Sequence, residues 1–358
     1  MDVGEPVLSC DKAHVGDDDD VLSYRNICYH PKGRHAASNW HYLDVYAPRS
    51  SAEDALANST HPTVFFLHGG GWRRGDRWSR FGFCQNVGIA LAKQGYVAVL
   101  PSYTKSLKFS PWLYGVFGAS VFAPAIRILQ EQLVPKLLAW SPATFWSSWL
   151  FIALSIRQLL LCMTWARHPD HINDCAMAVK WAARGEIDKF GGDRNRLILF
   201  GQSAGAHMAS LLALPQTDFL ETSIKQKQLK GLASISGIYS GERFKSNLLH
   251  RVLYSYVFGG STEWNKCFAL GHCKDAEALS AMCPTLLINA SFDVGLRSHA
   301  EDFADTLRNA EVAVEGPHIL PKTDHFTMML RVGRASPSES DTQLLALLKQ
   351  FIDRVCRV

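Results

Sequence analysis

The fold is decided by residues 197–214, which read LILFGQSAGAHMASLLAL. The apolar run Leu197–Phe200 is typical of a buried strand, and the composition of Ala204–Leu214 favours a helix. Between them, the segment 201–205 (GQSAG) fits the pattern G-x-S-x-G. A strand, a sharp turn with serine at its apex and a helix form a nucleophile elbow, which exposes the hydroxyl of Ser203 above the sheet. An ordinary glycine-rich turn is the alternative, because so short a pattern also arises by chance.

Short apolar runs and helical patterns alternate on both sides of this stretch. The strand patterns lie at Tyr42–Tyr46, Thr63–Leu67, Tyr96–Leu100, Gly231–Ser236, Thr285–Asn289 and Val312–Glu315. The helix patterns lie at Arg80–Lys93, Asp170–Arg184, Ser298–Arg308 and Thr342–Val355. Strands that alternate with helices form βαβ units. The sequence therefore predicts an α/β fold with a mostly parallel central sheet flanked by helices.

A second glycine motif, residues 68–72 (HGGGW), follows the predicted strand Thr63–Leu67. Acyl transfer builds negative charge on a carbonyl oxygen, and preorganised N–H donors stabilise that charge. Consecutive glycines let the backbone approach the reacting group closely. A flexible turn is the alternative interpretation, but HGGGW is more specific than a glycine pair. The donors that we expect are the backbone N–H groups of Gly70, Gly71 and Ala204.

Three further side chains lie within or beside these two motifs. His68 opens the glycine motif, and we expect it to orient the loop rather than to carry protons. Trp72 closes that motif and Gln202 precedes the serine, so both are candidate substrate-binding residues.

The combination of HGGGW and GQSAGAH resembles the α/β-hydrolase superfamily. Within it, the chain is most similar to hormone-sensitive-lipase-like esterases, kynurenine formamidases and prenylcysteine methylesterases. Leu43–Tyr46 (LDVY) resembles their opening strand, and Asp188–Arg196 (DKFGGDRNR) resembles their approach to the elbow strand. The resemblance covers residues 38–104 and 168–356. It implies the α/β-hydrolase fold and a triad in the chain order serine, acid, histidine.

The family order places the acid after a later strand. Asp293 follows the predicted strand Thr285–Asn289 and precedes the next helix, as that order requires. Asp302 and Asp305 are rivals, but they lie inside the predicted helix, where charged residues usually form a solvated face.

The family order places the base beyond the following strand. His325, in the stretch TDHF, precedes the final helix and resembles the family's histidine loop. His318 is the main rival because we expect it on the same loop, and His299 falls in a helix pattern. A histidine can take the serine proton near neutral pH, and an aspartate would hold its tautomer.

These residues predict a serine hydrolase that cleaves a carboxylic ester through an acyl-enzyme, without metal or cofactor. An arylformamidase-type amide hydrolase, like the kynurenine formamidases, would use the same triad. A non-catalytic hydrolase-fold binding protein is the remaining alternative, since one fold hosts many functions. Such a protein would be expected to lose the nucleophile or the base, whereas Ser203, Asp293 and His325 are all present.

Composition sets wider bounds on the chain. Its 358 residues are 47% hydrophobic and 20% charged, which excludes a wholly disordered, collagen-like or polytopic membrane protein. The net charge of +4, without a clustered basic stripe, is too weak for a nucleic-acid partner. Nine cysteines without a CxxC pair, and an N-terminus without signal-peptide features, predict reduced thiols and an intracellular location, cytoplasmic or facing the cytoplasm on a membrane.

The predicted domain organisation has three parts. Residues 1–37 form a partly disordered tail, and 38–106 with 168–358 form the hydrolase core. Residues 107–167 form an apolar, tryptophan-rich helical insertion, either a lid over the pocket or a membrane-associated hairpin. A single span is excluded, because the glycine loop and the nucleophile would then lie on opposite sides of the membrane. Both options favour a lipophilic ester or formamide substrate.

Overall fold

The computed structural model describes residues 11–12, 20–33, 38, 40–49, 61–77, 83–106, 166–245, 254–260, 262–293, 295–330, 332–333 and 339–357. The strands are β1 (Asp11–Lys12), β2 (Val21–Cys28), β3 (Tyr42–Pro48), β4 (His61–Leu67), β5 (Val97–Pro101), β6 (Gly192–Gln202), β7 (Leu229–Ile235), β8 (Thr285–Phe292) and β9 (Val314–Asp324). They form one sheet in the order β1-β2-β3-β5-β4-β6-β7-β8-β9.

The sheet is parallel through most of its width. From β5 through β4 and β6 to β9, every neighbouring pair is parallel. The pairs β1–β2, β2–β3 and β3–β5 are antiparallel and lie toward one edge. The predicted α/β architecture with a mostly parallel sheet is therefore confirmed.

Helices cover both faces of the sheet. The long helices are α1 (Phe83–Lys93), α2 (Asp170–Trp181), α3 (Ala204–Ala213), α4 (Arg297–Asn309) and α5 (Glu339–Cys356). Shorter helical turns are Ala182–Glu186, Asp188–Phe190, Ile224–Gln228, Glu242–Lys245, Trp264–Cys267, Ala269–His272, Ala276–Ser280 and Thr327–Leu330. Side chains of α2, α3 and α4 belong to one core cluster, and those of α1 and α5 belong to a second.

The central strands are apolar throughout because both of their faces are buried. In β4, Phe65 and Leu67 join the core beneath α2, α3 and α4, whereas Val64 and Phe66 join the core beneath α1 and α5. Side chains alternate between the faces of a strand, so a strand that is covered twice reads as a continuous hydrophobic run. This explains why the short apolar runs of the sequence mark the central strands.

The N-terminal region differs from the prediction. Residues 21–28 form β2, which pairs antiparallel with β3, from Val21 opposite Pro48 to Cys28 opposite Tyr42. The predicted tail at 1–37 is therefore too long. The pattern VLSYRNIC mixes polar and apolar residues, because only Val21 and Ser23 are buried along this strand near the sheet edge.

The apolar insertion lies almost wholly outside the described residues. The prediction of a lid or a membrane hairpin at 107–167 falls on residues 107–165, so it stays a prediction. In the part of the chain that the structure describes, no helix combines the length and hydrophobicity that a membrane crossing requires.

Candidate active site

The turn after β6 has the strained geometry of a nucleophile elbow. Ser203 adopts a φ of 56° and a ψ of −117°, a region that non-glycine residues rarely occupy. A Cβ atom on Gly205 would overlap the carbonyl oxygen of Leu67, so α3 can approach β4 this closely only with glycine there. The Ser203 N–H donates to the carbonyl oxygen of Ile235 at 2.9 Å. The turn therefore holds the serine at the carboxyl end of the sheet.

Ser203, His325 and Asp293 form a continuous chain of hydrogen bonds. The Oγ of Ser203 lies 3.0 Å from Nε2 of His325. The Nδ1 of the same ring lies 2.8 Å from Oδ1 of Asp293. All three residues are buried. This is the arrangement in which an imidazole can take a proton from a hydroxyl while a carboxylate fixes its orientation.

The rival residues lie elsewhere. His318 is part of β9, opposite Ile288 in the ladder, rather than on a loop. On α4, His299 accepts hydrogen bonds from the backbone N–H groups of Tyr239 and Ser240. The two rival acids of that helix form ion pairs on the surface, Asp302 with Arg243 and Asp305 with Arg308.

The acid is held by a residue that the sequence analysis missed. Asn289 Nδ2 donates to Asp293 Oδ2 at 2.6 Å, which leaves Oδ1 for His325. The N–H of Ala290 donates to the same Oδ2 at 3.3 Å. An amide side chain four residues before the acid, at the end of the predicted strand, was the available signal.

Backbone hydrogen bonds tie three strand-end segments of the site to a neighbouring strand. The Ser203 N–H donates to Ile235 at the end of β7, and the Ser236 N–H donates to Ile288 of β8. The His325 N–H donates to Phe292 at the end of β8. These bonds form a series across the carboxyl edge of the sheet, which sets the spacing of the triad.

The HGGGW loop lies against the elbow. Gly70 and Gly71 have φ values of 119° and 60°, which a residue with a side chain rarely adopts. A Cβ atom on Gly69 would collide with Gln202, so the loop and the elbow are in close contact. The N–H of Ala204 lies in the first turn of α3, where a helix leaves its amides without an intrahelical acceptor.

His68 holds the base of this loop. Its Nδ1 lies 2.8 Å from the carbonyl oxygen of Gly69 and 3.1 Å from the hydroxyl of Tyr103. That hydroxyl also donates to the carbonyl oxygen of His68 at 2.8 Å, and the two rings stack. Burial lowers the pKa of His68 to about 4, so the ring is neutral at physiological pH. These contacts fit an orienting role for His68.

The two predicted substrate-binding side chains both make hydrogen bonds within the protein. Trp72 is fully buried, and its indole N–H donates to Nδ1 of His207 at 3.1 Å. Gln202 Nε2 donates to the carbonyl oxygen of His325 at 3.0 Å. We therefore correct the prediction for Trp72, which rested on its position beside the motif, whereas Gln202 is half-buried and its substrate-binding role stays a prediction. The Trp72 ring packs edge-on against His207 of α3, and Gln202 holds the histidine segment.

A buried ionic network anchors the far end of the loop. Arg77 Nε donates to Asp44 Oδ1 of β3 at 3.1 Å, and its Nη1 donates to Ser102 Oγ at 2.7 Å. Ser102 Oγ in turn donates to Asp76 Oδ1 at 2.5 Å, and Asp76 also pairs with Lys105. Burial raises the pKa of Asp44, although the adjacent guanidinium opposes the shift. The loop is thus fastened to the antiparallel part of the sheet.

Buried neutral histidines should make the fold sensitive to mild acid. Burial lowers the pKa of His68 and His299 to about 4 and that of His207 to about 3. Below about pH 6.5 these histidines bind protons in the unfolded chain but stay neutral in the folded chain. The stability is therefore fully present above that pH and falls toward pH 4. We expect urea unfolding at pH 5.0 to show a free energy lower by about 1–2 kcal/mol per histidine than at pH 7.5.

This window lies above the range in which most carboxylates titrate, so the histidines dominate the change. The variant His299→Gln is the control. It should reduce the difference in unfolding free energy between pH 5.0 and 7.5 by the contribution of one histidine. Equal free energies of unfolding at pH 5.0 and 7.5 would contradict the prediction.

Comparison with known proteins agrees with this architecture. Residues 165–328 match a family model described as alpha/beta hydrolase fold. A probable isoprenylcysteine alpha-carbonyl methylesterase (ICMEL2) from Arabidopsis thaliana is 28% identical over 188 residues, 48% of this chain and 44% of the relative. The kynurenine formamidase avaC from Aspergillus versicolor is 29% identical over 150 residues, 42% and 48% of the two chains. The matched stretch thus spans less than half the length of these curated relatives.

A solved structure extends the likeness to nearly the whole chain. Esterase B from Lactobacillus rhamnosis superposes with a TM-score of 0.62 at 18% identity, covering 94% of this chain and 86% of that protein. At this level of identity the likeness establishes the fold alone. The protein therefore has the α/β-hydrolase fold, and its relatives include isoprenylcysteine methylesterases, a kynurenine formamidase and esterases.

Proposed function

We propose that the protein is a serine hydrolase that cleaves a carboxylic ester. The observation that carries this proposal is the hydrogen-bonded chain from Ser203 Oγ through His325 to Asp293, at the apex of a nucleophile elbow. Esterases among its relatives support the ester as the bond that is cleaved. The matched stretch covers less than half of each relative, so their activities are transferred to this protein only as a proposal.

The reaction follows from the roles that the geometry allows. His325 Nε2 takes the proton of Ser203 as the Oγ attacks the ester carbonyl carbon. The imidazolium then donates this proton to the leaving alkoxide, which departs as the alcohol and leaves an acyl-serine. Water, activated by the same imidazole, attacks the acyl carbon and releases the acid. Asp293 stabilises the imidazolium in both halves of the reaction and keeps its own charge.

Backbone amides stabilise the tetrahedral intermediates. We assign this role to the N–H groups of Gly70, Gly71 and Ala204, because the glycine loop contacts the elbow beside Ser203. Each such donor accounts for about 10²–10³-fold in kcat in comparable sites.

Exposed aromatic residues beside the triad support a lipophilic substrate. Phe292 and Phe326 are 74% and 73% exposed, whereas most large apolar side chains of the described residues are buried. Each is adjacent in sequence to a triad member, Phe292 to Asp293 and Phe326 to His325. The Phe326 ring lies 5.1 Å from the ring of His325. An acyl or alkyl chain that contacts these rings would remove their apolar surface from water.

The double variant Phe292→Ser/Phe326→Ser should shift the preference of the enzyme toward short esters. We expect kcat/KM for p-nitrophenyl decanoate to fall about tenfold, since burying two phenyl rings against a chain contributes a few kcal/mol at most. The value for p-nitrophenyl acetate should stay within twofold, because an acetyl group is too short to contact both rings. A uniform loss across the chain-length series would contradict the lipophilic assignment.

A substrate panel separates the ester proposal from its alternatives. A kynurenine formamidase among the relatives is the reason to include N-formylkynurenine, an amide that the same triad could hydrolyse. The wild-type protein should hydrolyse p-nitrophenyl esters with a kcat/KM at least tenfold above that for the formamide. The reverse order would make it an arylformamidase-type enzyme. If the wild-type protein hydrolysed neither substrate class and a fluorophosphonate did not label Ser203, the protein would instead be a hydrolase-fold binding protein.

A further inference from the structure

A buried hydrogen bond joins the glycine loop to the helix of the nucleophile. The indole N–H of Trp72 donates to Nδ1 of His207 at 3.1 Å, across 135 positions of the chain. Both side chains are fully buried, and the ring of Phe258 packs edge-on against each of them. Solvent therefore has no access to replace this bond.

His207 uses both of its ring nitrogens. Nδ1 accepts from Trp72, and Nε2 donates to the carbonyl oxygen of Cys267 at 2.7 Å. This pairing requires the neutral ring with its proton on Nε2. The backbone N–H of the same residue donates to the carbonyl oxygen of Ser203 at 3.0 Å, in the first turn of α3. The imidazole of His207 thus connects the glycine loop to the segment that ends at Cys267, and its backbone N–H lies in the nucleophile turn.

The loop needs such an anchor. Three consecutive residues, Gly70, Gly71 and Trp72, have positive φ values of 119°, 60° and 59°. The last of these is a bulky residue in a region that disfavours it. A conformation of this kind persists only where surrounding contacts determine it. The Trp72–His207 bond supplies such a contact directly after Gly70 and Gly71, whose amides are assigned to the oxyanion hole.

We propose that Trp72 and His207 are positioning residues that fix the oxyanion amides of Gly70 and Gly71 relative to Ser203. This inference rests on the proposed esterase function. Neither side chain contacts the reacting atoms. Their bond sets the distance between two parts of one electrostatic site, and a displacement of about 1 Å is enough to cost up to about 10²-fold in rate.

The variant Trp72→Phe tests the proposal, because it keeps an aromatic ring and removes only the indole N–H. We expect kcat for p-nitrophenyl butyrate to fall about 10- to 100-fold with KM within threefold, since an oxyanion hole acts on the transition state. Trp264→Phe is the matched control. Trp264 is equally buried and its indole N–H also bonds, to the carbonyl oxygen of Gly259 at 3.0 Å rather than to a residue of the nucleophile helix. We expect kcat of this control within twofold of wild type.

Two variants of the partner distinguish positioning from packing. In His207→Asn, the side-chain oxygen can take the place of Nδ1 and accept from Trp72, whereas His207→Leu fills the space without an acceptor. We expect the asparagine variant to retain most of kcat and the leucine variant to match Trp72→Phe. The double variant Trp72→Phe/His207→Leu should be no slower than either single variant, because both remove the same bond.

The outcomes are separable. A Trp72→Phe variant with unchanged kcat, or with a loss that Trp264→Phe reproduces, overturns the positioning role while the active wild type leaves the esterase function standing. A wild-type protein that neither hydrolyses the panel nor labels at Ser203 overturns the proposed function and this inference together. Should Trp72→Phe fail to fold, the comparison of His207→Asn with His207→Leu decides: equal kcat values in these two overturn the inference.

Discussion

Replacing Ser203 with alanine should abolish ester hydrolysis, with kcat lower by about 10⁴–10⁶-fold, because it removes the hydroxyl that forms the acyl-enzyme. The fold should persist. The hydroxyl bonds to His325, whereas the turn is held by the backbone N–H that donates to Ile235. Alanine tolerates the strained φ no worse than serine does. The measurements are p-nitrophenyl butyrate hydrolysis, fluorophosphonate labelling and thermal unfolding followed by circular dichroism.

Ser210→Ala is the matched control for this variant. Ser210 is a buried serine of α3, seven residues after Ser203. Its Oγ donates to the carbonyl oxygen of Ala206 at 2.7 Å. Its replacement should leave kcat within twofold. If Ser203→Ala kept activity within tenfold of wild type, Ser203 would not be the nucleophile.

The variant His325→Ala should lose nearly as much activity as Ser203→Ala, since it removes the base from a unit whose members act together. His318→Ala should keep kcat within threefold. His318 lies in the ladder of β9 opposite Ile288, outside the hydrogen-bonded chain of the triad. Steady-state kinetics on both variants, with fluorophosphonate labelling, provides the measurement. The reverse pair of results would show that the base has been misassigned.

The sequence predicts the central architecture because its signals are local. Each inner strand carries a short apolar run, and the elbow and the HGGGW loop carry their glycines at positions where φ is positive or backbones touch. The prediction of Asp293 and His325 rests on the family's chain order and on the predicted strands and helices around them. The structure places both beside Ser203 and leaves the rival residues in ordered elements or surface ion pairs.

The parts that the sequence does not predict depend on distant pairs. β2 belongs to the sheet because it pairs with β3. The mixed polar and apolar pattern of β2 does not indicate this pairing. The position of Trp72 beside the glycine motif predicts a substrate-binding residue, whereas its indole N–H donates to His207, far along the chain. The support of Asp293 by Asn289 is local, but an amide near an acid has no distinctive pattern.

The series of backbone bonds from Ser203 to β7, from Ser236 to β8 and from His325 to the end of β8 has a consequence for how the protein can fail. The nucleophile and the base are each bonded through the backbone to a neighbouring strand, so their alignment depends on the sheet as a whole. Inactivation and global melting should follow one denaturant curve, and heat should leave a shrinking population of fully competent molecules rather than a uniform population of impaired ones.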